Sequence, residues 1–420
     1  MTLLVISPDF ISHYSPLAVV ARAAKLAGKR VIVATGVIMA PHVQAEGFEW
    51  ILLQLGKGAN SGIADQNPAI KRFLSATKEG AMATIRCQAL DREKDLLWQP
   101  EQVAKNIAQL CEQIEPDNIL VDHISFGSTL GVYATGRKFT TLIPGHPSQL
   151  PVGQERYGIP AQWPSCMQPE PAVLAQQEQI TDRVTAAFTK RWNEALAIIA
   201  PTMAPVKDAF RIHGDLVLYN SSKQYQATSR SPNLPKNHQF IGPLIRDEVL
   251  AEPYRQWLEE ADGRPQVYGA LGTFLSHRAD VLGNISDALQ QAGARVAMAI
   301  GATPIAEFEP LPKDWLIEPS LPQVGLLRGC DIIIHHGGNN SVQEALGLGV
   351  RQIIMPFSTD QFANAADLER TGHASVVSPN HICIATLAQL IKSTMALPKP
   401  EKLMPLNPKL LASTLTGHKH

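Results

Sequence analysis

The sequence predicts an α/β protein built from two doubly wound parallel-sheet domains that face one another across a cleft. Three observations carry this. Short apolar runs bounded by turn residues recur with helical periods between them, the pattern of a buried parallel sheet. The alternation breaks off near 225–245 and then begins again. The 420 residues suffice for two cores of ordinary size.

The elements follow in order. LLVIS at 3–7 reads as a strand, followed by a loop, a helix from about Pro16 to Ala27 stopped by Gly28, and the strand RVIVA at 30–34. That is a βαβ unit with a right-handed crossover. A helical period over 101–113 leads to the strand NILV at 118–121, with Asp122 at its carboxyl end. Residues 144–171, rich in Pro, Gly and Gln, read as long loops around a cleft; helix resumes at 183–199 and a strand at 216–219. QFIGPL at 239–244 looks like the run into a linker. The second half repeats the theme, with strands at 266–271, 295–300, 315–317, 331–334 and 351–356. The domains are set at 1–225 and 240–397, with a tail at 398–420 that packs back on the first domain or stays free. In such sheets ligands bind beyond the carboxyl ends of the strands, so the cleft is the expected site.

Composition excludes several classes. The 37 basic and 38 acidic residues leave no electrostatic footprint for nucleic acid. No apolar run reaches membrane-spanning length, so stable membrane insertion is not expected. The start MTLLVISPDF lacks a basic region before its apolar run, which argues against a signal peptide. The five cysteines form no CxxC pair and suit a reducing compartment; a cytoplasmic protein is expected, monomeric or homodimeric. Neither GxGxxG after the first strand nor GxxxxGK[ST] occurs, so the usual anchors of dinucleotide enzymes and P-loop NTPases are missing.

The stretch DIIIHHGGNNSVQEALGLGV at 331–350 carries the chemistry. A short strand runs into Gly337 and Gly338, where backbone can approach a ligand closely, and Asn340 or Ser341 can cap the helix that follows. A strand, a glycine turn and a polar helix start form an anion site, and a phosphate is the expected anion.

Read on to HHGGNNSVQEALGLGVRQIIMPFSTDQFANA, the sequence resembles the signature of the family 1 UDP-glycosyltransferases of the GT-B fold, two Rossmann-like domains. The match runs through His336, Gly338, Asn340, Ser341, Glu344, Pro356, Asp360 and Gln361. The fragments FISHYSPL at 10–17, ALGTFLS at 270–276 and SLPQVGLL at 320–327 fit as well. The resemblance implies that His336, Asn340 and Ser341 contact the donor's phosphates. Gly272 and Thr273 form a second phosphate-side loop, and Ser320, Leu321 and Gln323 belong to the donor side. Glu344 accepts hydrogen bonds from the ribose hydroxyls. Where many members stack a tryptophan on uracil, this chain has Ser320. Asp360 and Gln361 suit the hydroxyls of a hexose, although Asp360 could instead cap the next helix.

In the first half, Ser12-His13-Tyr14-Ser15-Pro16 stands where the family carries Gly-His-x-x-Pro, which implies His13 as the catalytic base and Asp122 as its acidic partner. Imidazole suits this because it titrates near neutrality, and a carboxylate orients it. His123 competes for the pairing. The function implied is an inverting, metal-independent transfer of a hexose, glucose foremost, from a UDP-sugar to a hydroxyl of a small, apolar acceptor. No cofactor is expected beyond the co-substrate. Loops at about 56–90 and 141–171 would hold the acceptor, with Phe73, Trp98, Tyr157 and Trp163 as candidate lining. A dTDP-deoxysugar transferase, a UDP-sugar epimerase and a non-catalytic nucleotide-sugar-binding protein are the alternatives.

Overall fold

In the computed structural model, which describes residues 1–56, 68–95, 97–227, 230–260, 262–308 and 310–415, two parallel sheets organise the chain. The first has seven strands: β1 (Thr2–Ile6), β2 (Arg30–Thr35), β3 (Glu49–Leu52), β4 (Asn118–Asp122), β5 (Thr140–Ile143), β6 (Leu216–Tyr219) and β7 (His238–Phe240). The second has six: β8 (Gln266–Ala270), β9 (Arg295–Ala299), β10 (Leu316–Glu318), β11 (Ile332–His335), β12 (Arg351–Ile354) and β13 (Ala374–Val376).

Both faces of each sheet are covered, which is why the strands read as unbroken apolar runs. Side chains of β1 alternate between two cores. Leu3 and Val5 meet Leu17, Val20 and Ala21 of the helix Ile11–Leu26, whereas Leu4 and Ile6 meet Val103 and Ile107 of the helix Pro100–Ile114. In β11, Ile332 and Ile334 face one core and Ile333 the other. Each such fully buried side chain contributes about 1.5–3 kcal/mol.

The strand orders are β3-β2-β1-β4-β5-β6-β7 and β10-β9-β8-β11-β12-β13. In each sheet the order reverses once, between β1 and β4 and between β8 and β11. Loops leaving the two strands at such a reversal diverge to opposite faces and open a crevice. The first reversal brings together the segments carrying His13 and Asp122. The second brings together those carrying Gly272 and His336, with Ala270 and His335 in register.

Two details differ from the sequence pattern, and a third falls on one of its two alternatives. The first helix begins at Ile11, not near Pro16, so His13 lies in its first turn and Pro16 lies inside the helix, where it leaves the Ser12 carbonyl without its intrahelical N–H. The stretch at 239–244 was expected to be linker, but His238–Phe240 pairs with β6, so the first sheet runs past residue 225. A three-residue edge strand is too short for its alternation to show. The helix Pro408–Thr414 lies on the helix Ile11–Leu26, with Leu411 and Leu415 in the first domain's core. Residues 416–420 of the tail lie outside the described residues. Among the described residues no helix is long and apolar enough to cross a membrane.

Candidate active site

At the first reversal, Nδ1 of His13 lies 2.9 Å from Oδ2 of Asp122. The carboxylate is fully buried while the imidazole keeps about a fifth of its surface exposed (0 % and 21 %). Oδ1 of Asp122 accepts the Ile124 backbone N–H at 2.9 Å, so the carboxylate is fixed at both oxygens. An ionised carboxylate only accepts, so neutral His13 carries its proton on Nδ1 and leaves Nε2 as a base. Burial alone would lower the His13 pKa; the Asp122 charge and hydrogen bond, with a weaker pull from Asp360, outweigh it and raise the value above 6.5. His123 is turned away: its Nε2 meets the Gln149 carbonyl at 2.8 Å, and burial depresses it to about 4. It does not compete for Asp122.

At the second reversal the two histidines divide their roles. His335 is a satisfied core residue, bonded at 3.0 Å to Oε1 of Gln352. His336 lies between the two glycine turns. A β-carbon on Gly338 would stand 2.4 Å from its Nε2, and one on Gly272 2.9 Å from its Cε1. Only glycine lets the backbone close on both sides of the ring, and at Gly272 the φ of +77° independently favours glycine. Burial holds His336 near 4, so it is neutral. The helix Asn339–Leu348 starts immediately after. Its N-cap is Gly338, with no side-chain cap, in place of the Asn340 or Ser341 cap expected from the sequence. That leaves the first-turn N–H groups for an outside acceptor. The side chain of Thr273 lies outside the described residues.

Glu344, on the same helix, is buried. Its Oε2 accepts from Nε2 of Gln323 at 2.5 Å, and its Oε1 lies 3.4 Å from Nη1 of Arg246. Burial raises the Glu344 pKa, and Arg246 and Gln323 pull it back. Gln323 also donates to Ser341 Oγ at 3.2 Å. Glu344, Gln323 and Ser341 therefore form one polar cluster, beside the apolar Leu321 and the exposed Ser320. In the same domain, after β12, Ser358 caps the helix Thr359–Arg370, with Gln361 completing a capping box. Oε1 of Gln361 accepts from the N–H groups of Phe357 and Ser358, which leaves its amide N–H₂ as the free end. Asp360 sits in that helix's first turn within electrostatic reach of His13 and His146; burial raises its pKa against their influence.

Polar contacts tie the domains together around this site. Asn340 Nδ2 donates to the Ser12 carbonyl at 2.7 Å. In a helix that carbonyl would take the N–H of residue 16, but Pro16 has none, so it is open to the second domain. Asn339 Nδ2 donates to the carbonyls of Pro144 and Asn220 at 2.7 and 2.8 Å. His146 Nε2 meets Oδ2 of Asp367 at 3.1 Å, both buried. Asn339, His146, Asp367 and Arg246 escaped the sequence reading. Asn339 could have been weighed, since it adjoins the matched motif; the others lie in segments without a pattern.

Of the aromatic candidates for the acceptor, Phe73 packs on the second domain's core and Trp98 on the first. Trp163 stacks on Phe362 across the domain seam, and Tyr157 alone stands beside His123, at 6.4 Å. Residues 57–67 of the expected acceptor loops lie outside the described residues. A hollow of about 660 Å³ is lined by Trp163, Ser165, Glu369 and Arg370, and another of about 580 Å³ by Lys236, His238, Phe240 and Leu410. Neither includes a residue of the two reversals, so convergent chemistry, not hollow size, marks the site.

Comparisons with known proteins bear on the fold and the family resemblance. Residues 284–399 match the family model of the erythromycin biosynthesis protein CIII-like C-terminal domain. The chain is 22% identical over 189 residues to YojK of Bacillus subtilis, named an uncharacterized UDP-glucosyltransferase, covering 45% of this chain and 46% of that protein. It is 22% identical over 215 residues to the demethyllactenocin mycarosyltransferase of Streptomyces fradiae, covering 51% and 46%. The chain thus spans about half the length of these curated relatives. Among solved structures, the glycosyltransferase of kitacinnamycin superposes with a TM-score of 0.68 at 17% identity, covering 99% of this chain and 93% of that one. The glycosyltransferase VinC in complex with dTDP superposes with a TM-score of 0.64 at 17% identity, covering 99% and 94%. The fold is that of the GT-B glycosyltransferases.

Proposed function

We propose that this chain, a relative of the bacterial natural-product glycosyltransferases of family 1, is an inverting, metal-independent enzyme that moves glucose from UDP-glucose to an acceptor hydroxyl. The observation that carries the reading is the His13–Asp122 pair facing, across one cleft, an uncapped helix start beside a neutral imidazole. Nε2 of His13 takes the hydroxyl proton as the oxygen attacks the anomeric carbon on the face opposite the diphosphate. Asp122 stabilises the imidazolium that forms. The departing diphosphate gains charge where backbone N–H groups and the helix dipole are already oriented, so no reorganisation is needed at that moment. Neutral His336 adds a donor without a competing charge.

Glu344 supports UDP over dTDP. A buried carboxylate that accepts from a ribose 2′-OH loses that partner with a deoxyribose donor, at a cost of about 1–3 kcal/mol, roughly ten- to hundredfold in affinity. Asp360 and the free amide of Gln361 support a sugar with several hydroxyls. The dTDP-deoxysugar reading has its own support in the mycarosyltransferase match and in VinC. UDP release from UDP-glucose, measured with and without an acceptor panel and in excess chelator, tests the proposal. Acceptor-dependent release that survives chelation is expected. Turnover only with dTDP-sugars, or only after a divalent cation is restored, refutes it.

A further inference from the structure

Arg92, on the helix Ala81–Asp95 of the first domain, lies within electrostatic reach of Asp360 and has no task in the chemistry above. Its guanidinium lies 4.9 Å over the ring of Tyr157. That ring stacks on Phe210 at 4.2 Å and stands beside His123, the residue after Asp122. Asp122 and Asp360 act through space on the same Tyr157 ring, so Arg92 sits over an aromatic side chain within electrostatic reach of the candidate site. The backbone is shaped around it: a β-carbon on Gly158 would fall 1.6 Å from its Nη1, so the turn is bare where the guanidinium passes.

Arg92 is half-buried, and the fully buried arginines find partners: Arg351 donates to the carbonyls of Leu397 and Asp331, and three others meet carboxylates. Arg230 pairs with Glu155, Arg278 with Asp280 and Arg295 with Glu260. Among the described residues Arg92 makes no ion pair and no hydrogen bond, although Asp360 and Tyr157 act on it through space. The five donors of this half-buried guanidinium are left for a ligand, and a cationic fork of that geometry matches a carboxylate with two parallel hydrogen bonds. Burial lowers its pKa, yet an arginine stays charged.

We propose that Arg92 anchors a carboxylate of the acceptor, so that the substrate class is a hydroxylated carboxylic acid with an apolar body rather than a wholly apolar molecule. The acceptor is preferred to the donor as the carboxylate's source because Arg92 belongs to the first domain and packs over Tyr157, whose ring neighbours His123, Phe126 and Phe210 belong to that domain too. The first-domain loop around Tyr157 takes the apolar body, Arg92 the carboxylate, and His13 the hydroxyl. This rests on the glycosyltransferase reading for what happens to the hydroxyl, but not for the binding itself.

The test therefore begins with binding. Calorimetry with 4-hydroxycinnamate and its methyl ester, which share the hydroxylated body while the ester masks the carboxylate with a methyl group, is run on the full chain and on Arg92→Met and Arg92→Lys, each checked for an unchanged melting temperature. Losing one member of a desolvated charge pair costs enough to expect an acid preference of about thirtyfold or more. That preference should vanish in Arg92→Met and partly return in Arg92→Lys, while UDP affinity stays constant throughout. Equal affinity for acid and ester in the unaltered protein overturns the proposal. So does an Arg92→Met defect confined to UDP-glucuronate as donor, which would put the carboxylate on the sugar. Acid selectivity that depends on Arg92 without any UDP release would support the anchor and count against the transferase reading instead.

Discussion

Two histidines occupy the two strand-order reversals of this molecule, and their surroundings drive them in opposite directions. His13 has a buried carboxylate at 2.9 Å, and its proton is held more tightly than in an ordinary imidazole. His336 has two glycine turns and no carboxylate in contact, and burial holds it neutral near 4. Topology put an imidazole at each crevice; the neighbour decided its charge. A base must gain a proton during the reaction and profits from an anion behind it. A donor toward a diphosphate must not carry a carboxylate that would repel the ligand.

His13→Ala is the harshest way to break the comparison. It should lower kcat by about 10²–10⁴-fold while UDP binding by calorimetry is unchanged, because the second reversal is untouched. An aliphatic alcohol acceptor is the proper substrate, since an acidic phenol can ionise unaided. Asp122→Asn comes next, with a loss of about ten- to hundredfold as a hydrogen bond to a charged group is weakened. The pH profile sharpens this result. His13 must be unprotonated to act, and Asp122 raises its pKa, so the unaltered enzyme should lose rate on the acid side with a limb above pH 6.5. In Asp122→Asn that limb should move to lower pH; an unmoved limb would mean that another group titrates. The stability sign is the reverse: the ion pair contributes fully below pH 6.5 and fades as pH rises through the raised value. Gly338→Ala acts at the other crevice. Its methyl would meet the His336 ring, displace a phosphate-side donor and weaken UDP by about tenfold, with the acid limb unmoved.

Much of this was legible in the sequence, for physical reasons. Strands buried on both faces announce themselves as apolar runs, so the strands carrying both reversals could be read from LLVIS, NILV and DIII. The helix-start motif is local in sequence, so His336, Gly338 and Glu344 came with it. His13 and Asp122, 109 positions apart, could be paired only through the family resemblance. Contacts with no local pattern stayed hidden. Nothing in GHPSQL shows that His146 meets Asp367, and nothing around Arg92 shows that it lacks a carboxylate. The first helix begins at Ile11, ahead of the expected start near Pro16, and the proline lies inside it.

That proline has a consequence for how the two domains bargain over one oxygen. Pro16→Ala would restore the missing N–H and let the helix take the Ser12 carbonyl for itself. The substitution should be locally favourable, removing an interior helix proline and raising the melting temperature by a few degrees. It should also leave the Asn340 amide in competition for an acceptor it now holds at 2.7 Å. One hydrogen bond of about 1 kcal/mol corresponds to roughly a fivefold change, so a slightly more stable protein with about fivefold weaker catalysis is expected. A thermal melt and a rate measurement on the same sample check both halves. The ring of Pro16 thus works as a vacancy in the helix ladder: by declining a bond inside one domain, it lends that bond to the other.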